Sequence, residues 1–178
     1  ELRKAIGDAA PPYNRAVTLG GQKIAEDKAL QAGRRILSPS FTREDVADAL
    51  SSANTAELRA AKTGLRRQID EVIKNVKRSI GDANMDAREG IRAMKELSSD
   101  AVREKVEIVL GPKASKALFD RVDRAAKGFE LAAATADNSR TFARQNMSQA
   151  IKDLTEPGAM STLLEGSPVA ASRRVLQG

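Results

Sequence analysis

The chain has no histidine, no cysteine and no tryptophan among its 178 residues, and only one tyrosine and four phenylalanines. Without imidazole or thiol it lacks the commonest general base, the strongest side-chain nucleophile and the two softest metal ligands. The missing cysteines also exclude a disulfide scaffold. Long apolar runs are absent as well: no stretch reaches the roughly 18–20 residues that cross a bilayer. Nothing has the charged start and apolar centre of a secretory signal. No alternating run of Val, Thr and Tyr occurs, and no hairpin dipeptide sits between apolar runs, so no strand is expected. With aromatics at 3%, the core must be built from Leu, Ile, Val, Met and Ala, which suits closely packed helices better than a sandwich or barrel.

Charge is plentiful. Lys and Arg number 30 against 24 acidic residues, giving a formal net charge of +6 and a pI near 9.8. The excess is uneven: residues 55–80 carry seven basic and three acidic side chains. Acids are interleaved throughout, a pattern of salt-bridged surfaces more than of one dedicated polyanion groove.

Between the Gly and Pro punctuation, nearly every segment reads as an amphipathic helix. A first short one ends on Gly7. Pro12 suits the first turn of the next, from Tyr13 to Leu19, which Gly20-Gly21 is expected to break. Another follows, with Ala25, Ala29, Ala32 and Ile36 on its apolar side, and ends at Ser38-Pro39-Ser40. Thr42 reads as the N-cap of a short helix from Arg43 to Leu50, with Glu44 and Asp45 where the helix dipole favours carboxylates. Asn54 or Thr55 caps the clearest element, whose stripe of Leu58, Leu65, Ile69, Val72, Val76 and Ile80 runs to Gly81. On its outer side Asp70 to Lys74 and Arg67 to Glu71 are i, i+4 pairs. Asp86 opens a helix through Ile91, Met94 and Leu97, and Ser98-Ser99 caps one carrying Val102, Val106 and Val109. Gly111-Pro112 stops that one. From Lys113 a second long stripe carries Leu118, Val122, Ala125, Phe129, Ala132 and Ala136, in steps that suit antiparallel packing. Asn138-Ser139 either breaks it with a fresh cap or is a polar interruption within it. Phe142, Met147, Ile151 and Leu154 continue the pattern to Glu156-Pro157-Gly158.

The predicted architecture is an all-α, multi-helix bundle with two long amphipathic helices, several short ones and no sheet. It spans residues 1–154, with 155–178 as a loosely ordered tail. The two long helices should pack antiparallel and bury Leu65, Ile69, Val72, Val76, Leu118, Val122 and Phe129 together. Because the sequence starts at Glu1 inside a helical pattern, it reads as part of a longer polypeptide.

Four groups of residues invite a functional reading. Gly111-Pro112-Lys113-Ala114-Ser115-Lys116 has the look of a phosphate loop but lacks its second glycine and its GK[ST] ending, so a helix stop explains it better. Glu104, Glu107, Asp120 and Asp123 have the chemistry of an acid pair or hard-metal site. Lys116, Arg121, Arg124 and Lys127 surround the last two, which points to ion pairing along the helix instead. Arg66, Arg67, Lys74, Lys77 and Arg78 are the polyanion-binding candidates, set against the plainer reading of a solvated helix face; weak nucleic-acid binding there would fall steeply with salt. Asn138, Ser139, Arg140 and Thr141 form a polar cluster that acts either as a helix cap or as a recognition motif.

Several stretches resemble one kind of known protein. Phe129 followed by Asn138-Ser139-Arg140-Thr141-Phe142-Ala143-Arg144 is one. Others are the opening Leu2-Arg3-Lys4-Ala5-Ile6-Gly7-Asp8-Ala9 with Pro12-Tyr13, then Ala32-Gly33-Arg34-Arg35, and Leu110-Gly111 ahead of the last long helix. Together, over roughly residues 1–150, they resemble a helical region of large phage and prophage proteins of alphaproteobacteria. The resemblance implies a helical part of a long virion-associated or internal, ejection-type protein, sometimes joined elsewhere to a peptidoglycan-degrading domain. It carries over no catalytic residue. The expectation is therefore a non-enzymatic structural or interaction module without cofactor or metal. It would reside in a virion or bacterial cytoplasm and contact copies of itself or other virion components. The alternative is a nucleic-acid-associated helical protein that uses the basic face.

Overall fold

The structure, a computed structural model, describes residues 11–81, 87–135 and 140–155. Among them every regular element is a helix: α1 (Pro11–Arg35), α2 (Arg43–Leu50), α3 (Thr55–Gly81), α4 (Ala87–Leu97), α5 (Asp100–Leu110), α6 (Pro112–Thr135) and α7 (Arg140–Leu154). The fold is all-α. The predicted first helix, the opening at Asp86 and the tail beyond Thr155 lie outside the described residues.

Helix starts follow local chemistry. Thr42 forms a full capping box: its hydroxyl accepts from the Asp45 amide at 3.1 Å, and the Asp45 carboxylate accepts from the Thr42 amide at 2.8 Å. Asn54 does the same for α3. Its side-chain oxygen accepts from the Ala56 and Glu57 amides, while Glu57 reaches back to the Asn54 amide. At Ser99 the backbone has N-cap geometry but the hydroxyl makes no capping bond. Gly111, at φ 80°, ends α5, and Pro112 opens α6. The phosphate-loop lookalike is thus a helix stop with a proline at the next first turn.

One expectation fails at Gly20-Gly21. The two glycines do not break the chain; α1 runs through them for 25 residues. Each costs a helix about 1 kcal/mol, which the rest of α1 offsets by docking its second half on α3. There Gly33 and Gly64 set the geometry. A Cβ at Gly33 would run into the backbone carbonyl of Ala61, and one at Gly64 into that of Leu30. The two helices therefore cross antiparallel, backbone against backbone, with Ala29 and Ala61 buried in the seam.

The pairing of long helices also differs from expectation. α3 lies along α1, and α6 lies along α7, while the backbones of α3 and α6 come close at few places. The shorter α4, α5 and α7 reach between them. Gly90 of α4 sits where Val76 and Ile80 of α3 meet Phe129 of α6. Six of the seven predicted core residues are buried: Leu65, Ile69, Val76, Leu118, Val122 and Phe129. Val72 is only half-buried, and Ile73, one position on, takes the interior place. Val72 instead borders a small cavity of about 250 Å³ with Leu37, Ala93 and Val102.

Candidate functional site

At about 100° per residue, Arg66, Arg67, Lys74, Lys77 and Arg78 fall within roughly a 120° arc of α3. Arg66 is half-buried and the other four are exposed, so the structure does bring the five onto one solvent side. The predicted ion pairs differ in detail: Asp70 lies 3.8 Å from Arg66, one turn earlier, rather than on Lys74. Arg78 donates to the Asn75 side chain at 3.4 Å. Lys77 points across to α7, donating to the Thr155 hydroxyl at 3.2 Å.

That last contact marks a place that no local sequence pattern announces. A cleft of about 560 Å³ opens between the end of α3 and α7, lined by Lys77, Arg144, Gln145, Ser148 and Lys152 over a floor of Ile80 and Ile151. Lys77 and Lys152 are exposed at its rim. Arg144 is held in place because its guanidinium donates to the Ile80 carbonyl at 2.7 Å and reaches the Ser79 carbonyl at 3.5 Å. These carbonyls belong to the last turn of α3, where no amide of the helix itself can satisfy them. A cation there also complements the negative end of the helix dipole. Local sequence has no signal for a cap supplied from about 64 residues away.

Arg144 is also the last residue of the polar motif beginning at Asn138. Asn138 and Ser139 lie outside the described residues, as do the side chains of Arg140 and Thr141, whose backbone opens α7. Gly128 of α6 faces the Ala150 methyl of α7 at a distance that leaves no room for a larger residue. The long stripe thus divides into two helices lying side by side.

The carboxylate candidates are taken up by cations. Asp120 receives the Lys116 ammonium at 2.9 Å, and that hydrogen bond holds its carboxyl below the ordinary aspartate range. Asp123 is bound by Arg103, whose guanidinium also donates to the Ser98 carbonyl at 3.0 Å and lies 4.5 Å from the Phe119 ring centre. Glu104 is 3.8 Å from Arg43, and Glu107 is exposed. Among the described residues no three metal-ligating side chains come together, and no helix is long and apolar enough to cross a membrane.

Lys105 is a buried cation outside all the sequence-predicted candidates. It is 4% exposed, and its ammonium donates to the carbonyls of Ser38 at 2.8 Å and Phe41 at 3.0 Å. Burial pushes its pKa below the ordinary lysine value. The available signal is its place at the edge of the arc of Val102, Val106 and Val109, where a lysine either snorkels outwards or finds buried acceptors.

The remaining feature is apolar. Tyr13, Leu19 and Ile24, all in the first half of α1, are 42%, 65% and 59% exposed. A Cβ at Gly20 or Gly21 would meet nothing within 4 Å, so this half of the helix stands clear of neighbours. No known protein family, curated protein or solved structure matches this chain.

Proposed function

We propose that the chain is a non-enzymatic helical assembly module of a phage or prophage protein, and that copies associate through the first half of α1. The observation that carries this reading is the exposed arm itself. Tyr13, Val17, Gly20 and Ile24 follow one another in steps of four, three and four, the spacing of a coiled-coil seam. Val17 is half-buried and the other three positions are exposed. In an antiparallel pair of arms, Tyr13 meets Ile24 of the other copy and Val17 meets Gly20. Large side chains then face one another and a branched one faces a glycine. Isolated helical turns are marginal in water, so covering this seam favours the helix as well as burying apolar area.

The phage setting is supported by the resemblance of Asn138–Arg144 and the stretches described with it. Lack of histidine and cysteine supports a non-enzymatic role. A seam of two heptads buries less than the roughly 1,200 Å² of a stable standard interface. Association is therefore weak for single pairs and gains strength when many copies are held together, as in a virion.

Sedimentation velocity tests the reading. The wild-type chain should show a mass that rises with concentration, whereas Tyr13→Ser with Ile24→Ser should remain monomeric at unchanged melting temperature. Because the chain has no cysteine of its own, Val17→Cys mixed with Gly20→Cys should give a specific mixed disulfide dimer. A wild-type chain that stays monomeric at every concentration overturns it.

A further inference from the structure

The cleft between α3 and α7 goes beyond this assembly role. Three cations from two helices, Lys77, Arg144 and Lys152, surround it, and no carboxylate is among its described lining residues. Like charges gathered round one concavity raise each other's energy and focus a positive potential there. Ser148 and Gln145 add uncharged hydrogen-bonding groups beside them. The arrangement suits an anion with several oxygen acceptors.

The cations do not stop at the cleft. Arg78, Lys74 and Arg67 continue from Lys77 along the exposed side of α3, spread over about 16 Å of helix at 1.5 Å per residue. Asp70 and Glu71 share this side, and Asp70 is matched by Arg66. A lone phosphate occupies a small part of the cleft and leaves the rest of this line unused; a polymer of phosphates uses all of it. The site is a groove between two helices, which accepts a strand better than the flat surface of a bilayer. None of its described lining residues is aromatic, so none of them stacks on bases.

We infer that the α3–α7 cleft seats the phosphodiester backbone of a nucleic acid, which runs on along α3 past Lys74 and Arg67, with binding independent of base sequence. Arg144 serves chiefly as the fixed cation of the site, and Lys77 and Lys152 are the residues that adjust to the strand. This reading draws Lys152 and Arg144 into a site with the basic face of α3, and no residue of the α1 arm is among the described residues that line it.

Fluorescence anisotropy with a labelled oligothymidylate and a labelled duplex, each at about 50 mM salt, tests it. Affinity should fall linearly in log–log with salt. Lys77→Gln with Lys152→Gln should weaken binding about tenfold and make the salt slope shallower by roughly 1.4 for the single strand or 1.8 for the duplex, as expected for two lost phosphate contacts. Both lysines are exposed, so the double variant should keep the wild-type circular dichroism and melting curve. Lys113→Gln with Lys127→Gln on α6 removes the same charge elsewhere and should change affinity less than about twofold on the same salt argument. Binding to either oligonucleotide supports the site, and the tighter of the two identifies the form of nucleic acid. Absence of binding to both overturns it. Equal weakening by the α6 pair also overturns it, since net charge alone would then be responsible. So does binding confined to vesicles containing phosphatidylserine.

Discussion

The two halves of α1 are one continuous helix with small residues in both, yet they live in opposite surroundings. From Ala25 onwards the small residues let α1 press its backbone onto α3, with Gly33 against Ala61 and Gly64 against Leu30. Before Ala25 the glycines at 20 and 21 touch nothing, and the apolar side chains of Tyr13, Leu19 and Ile24 face solvent. A glycine in a helix is thus ambiguous on its own. It is a seat for a neighbouring backbone in one half and, within the single chain, a loss of helix propensity in the other. What separates them is the partner surface: α3 offers Ala60, Ala61 and Gly64 to the second half only.

The sharpest way to break this comparison is to add one methyl group in each half. Gly33→Ala or Gly64→Ala should lower stability by about 3 kcal/mol, because the obstacle is backbone and cannot swing aside. Thermal melts should show the loss, and an unchanged melting temperature would mean that the crossing is looser than described. Next in size is Lys105, which fastens the far end of the packed half through the Ser38 and Phe41 carbonyls. Lys105→Met should cost about 1–3 kcal/mol at neutral pH, as those acceptors lose their donor.

That variant also has a pH signature. The folded-state pKa of Lys105 is lowered, so between it and the ordinary value of 10.5 the unfolded chain binds one more proton than the folded one. Stability from this group therefore rises as pH climbs through that window. Urea melts across the alkaline range should show wild type gaining on Lys105→Met as pH increases; a gap that narrows instead would contradict the burial of the ammonium. The smallest effect has the opposite sign to the first. Gly20→Ala with Gly21→Ala should strengthen the helix by about 0.8 kcal/mol per site, read as greater ellipticity at an equal or higher melting temperature. A lower one would show that the free half is packed after all.

What was legible in the sequence was what neighbours in sequence decide. Thr42 and Asp45 sit three residues apart, so their capping box needs nothing else. The stripe from Leu58 to Ile80 carries its own period, and α3 occupies Thr55–Gly81 accordingly. Gly111-Pro112 stops one helix and starts another for the same local reasons. Partners distant in sequence left no such trace. Nothing near Leu118 or Leu65 states that α3 pairs with α1 instead of α6, because each apolar stripe fits any other equally well. The one-position shift from Val72 to Ile73 depends on how distant helices dock on α3, which leaves Val72 beside a cavity lined by residues of α4 and α5. Of the candidate site, the five basic residues of α3 could be placed on one side by counting. Arg144 and Lys152 could not be joined to them, since only the docking of α7 brings them there.

Arg144 has a consequence for how the molecule breathes. By closing the last turn of α3 with a side chain from α7, it makes the end of a local structure depend on a distant one. Helix ends ordinarily fray within nanoseconds and exchange their amide hydrogens freely. With the Ser79 and Ile80 carbonyls held by Arg144, the amides of that turn are expected to exchange more slowly than those of a free helix end, and Arg144→Ala should speed them. Deuterium uptake in that turn becomes a report on the docking of α7.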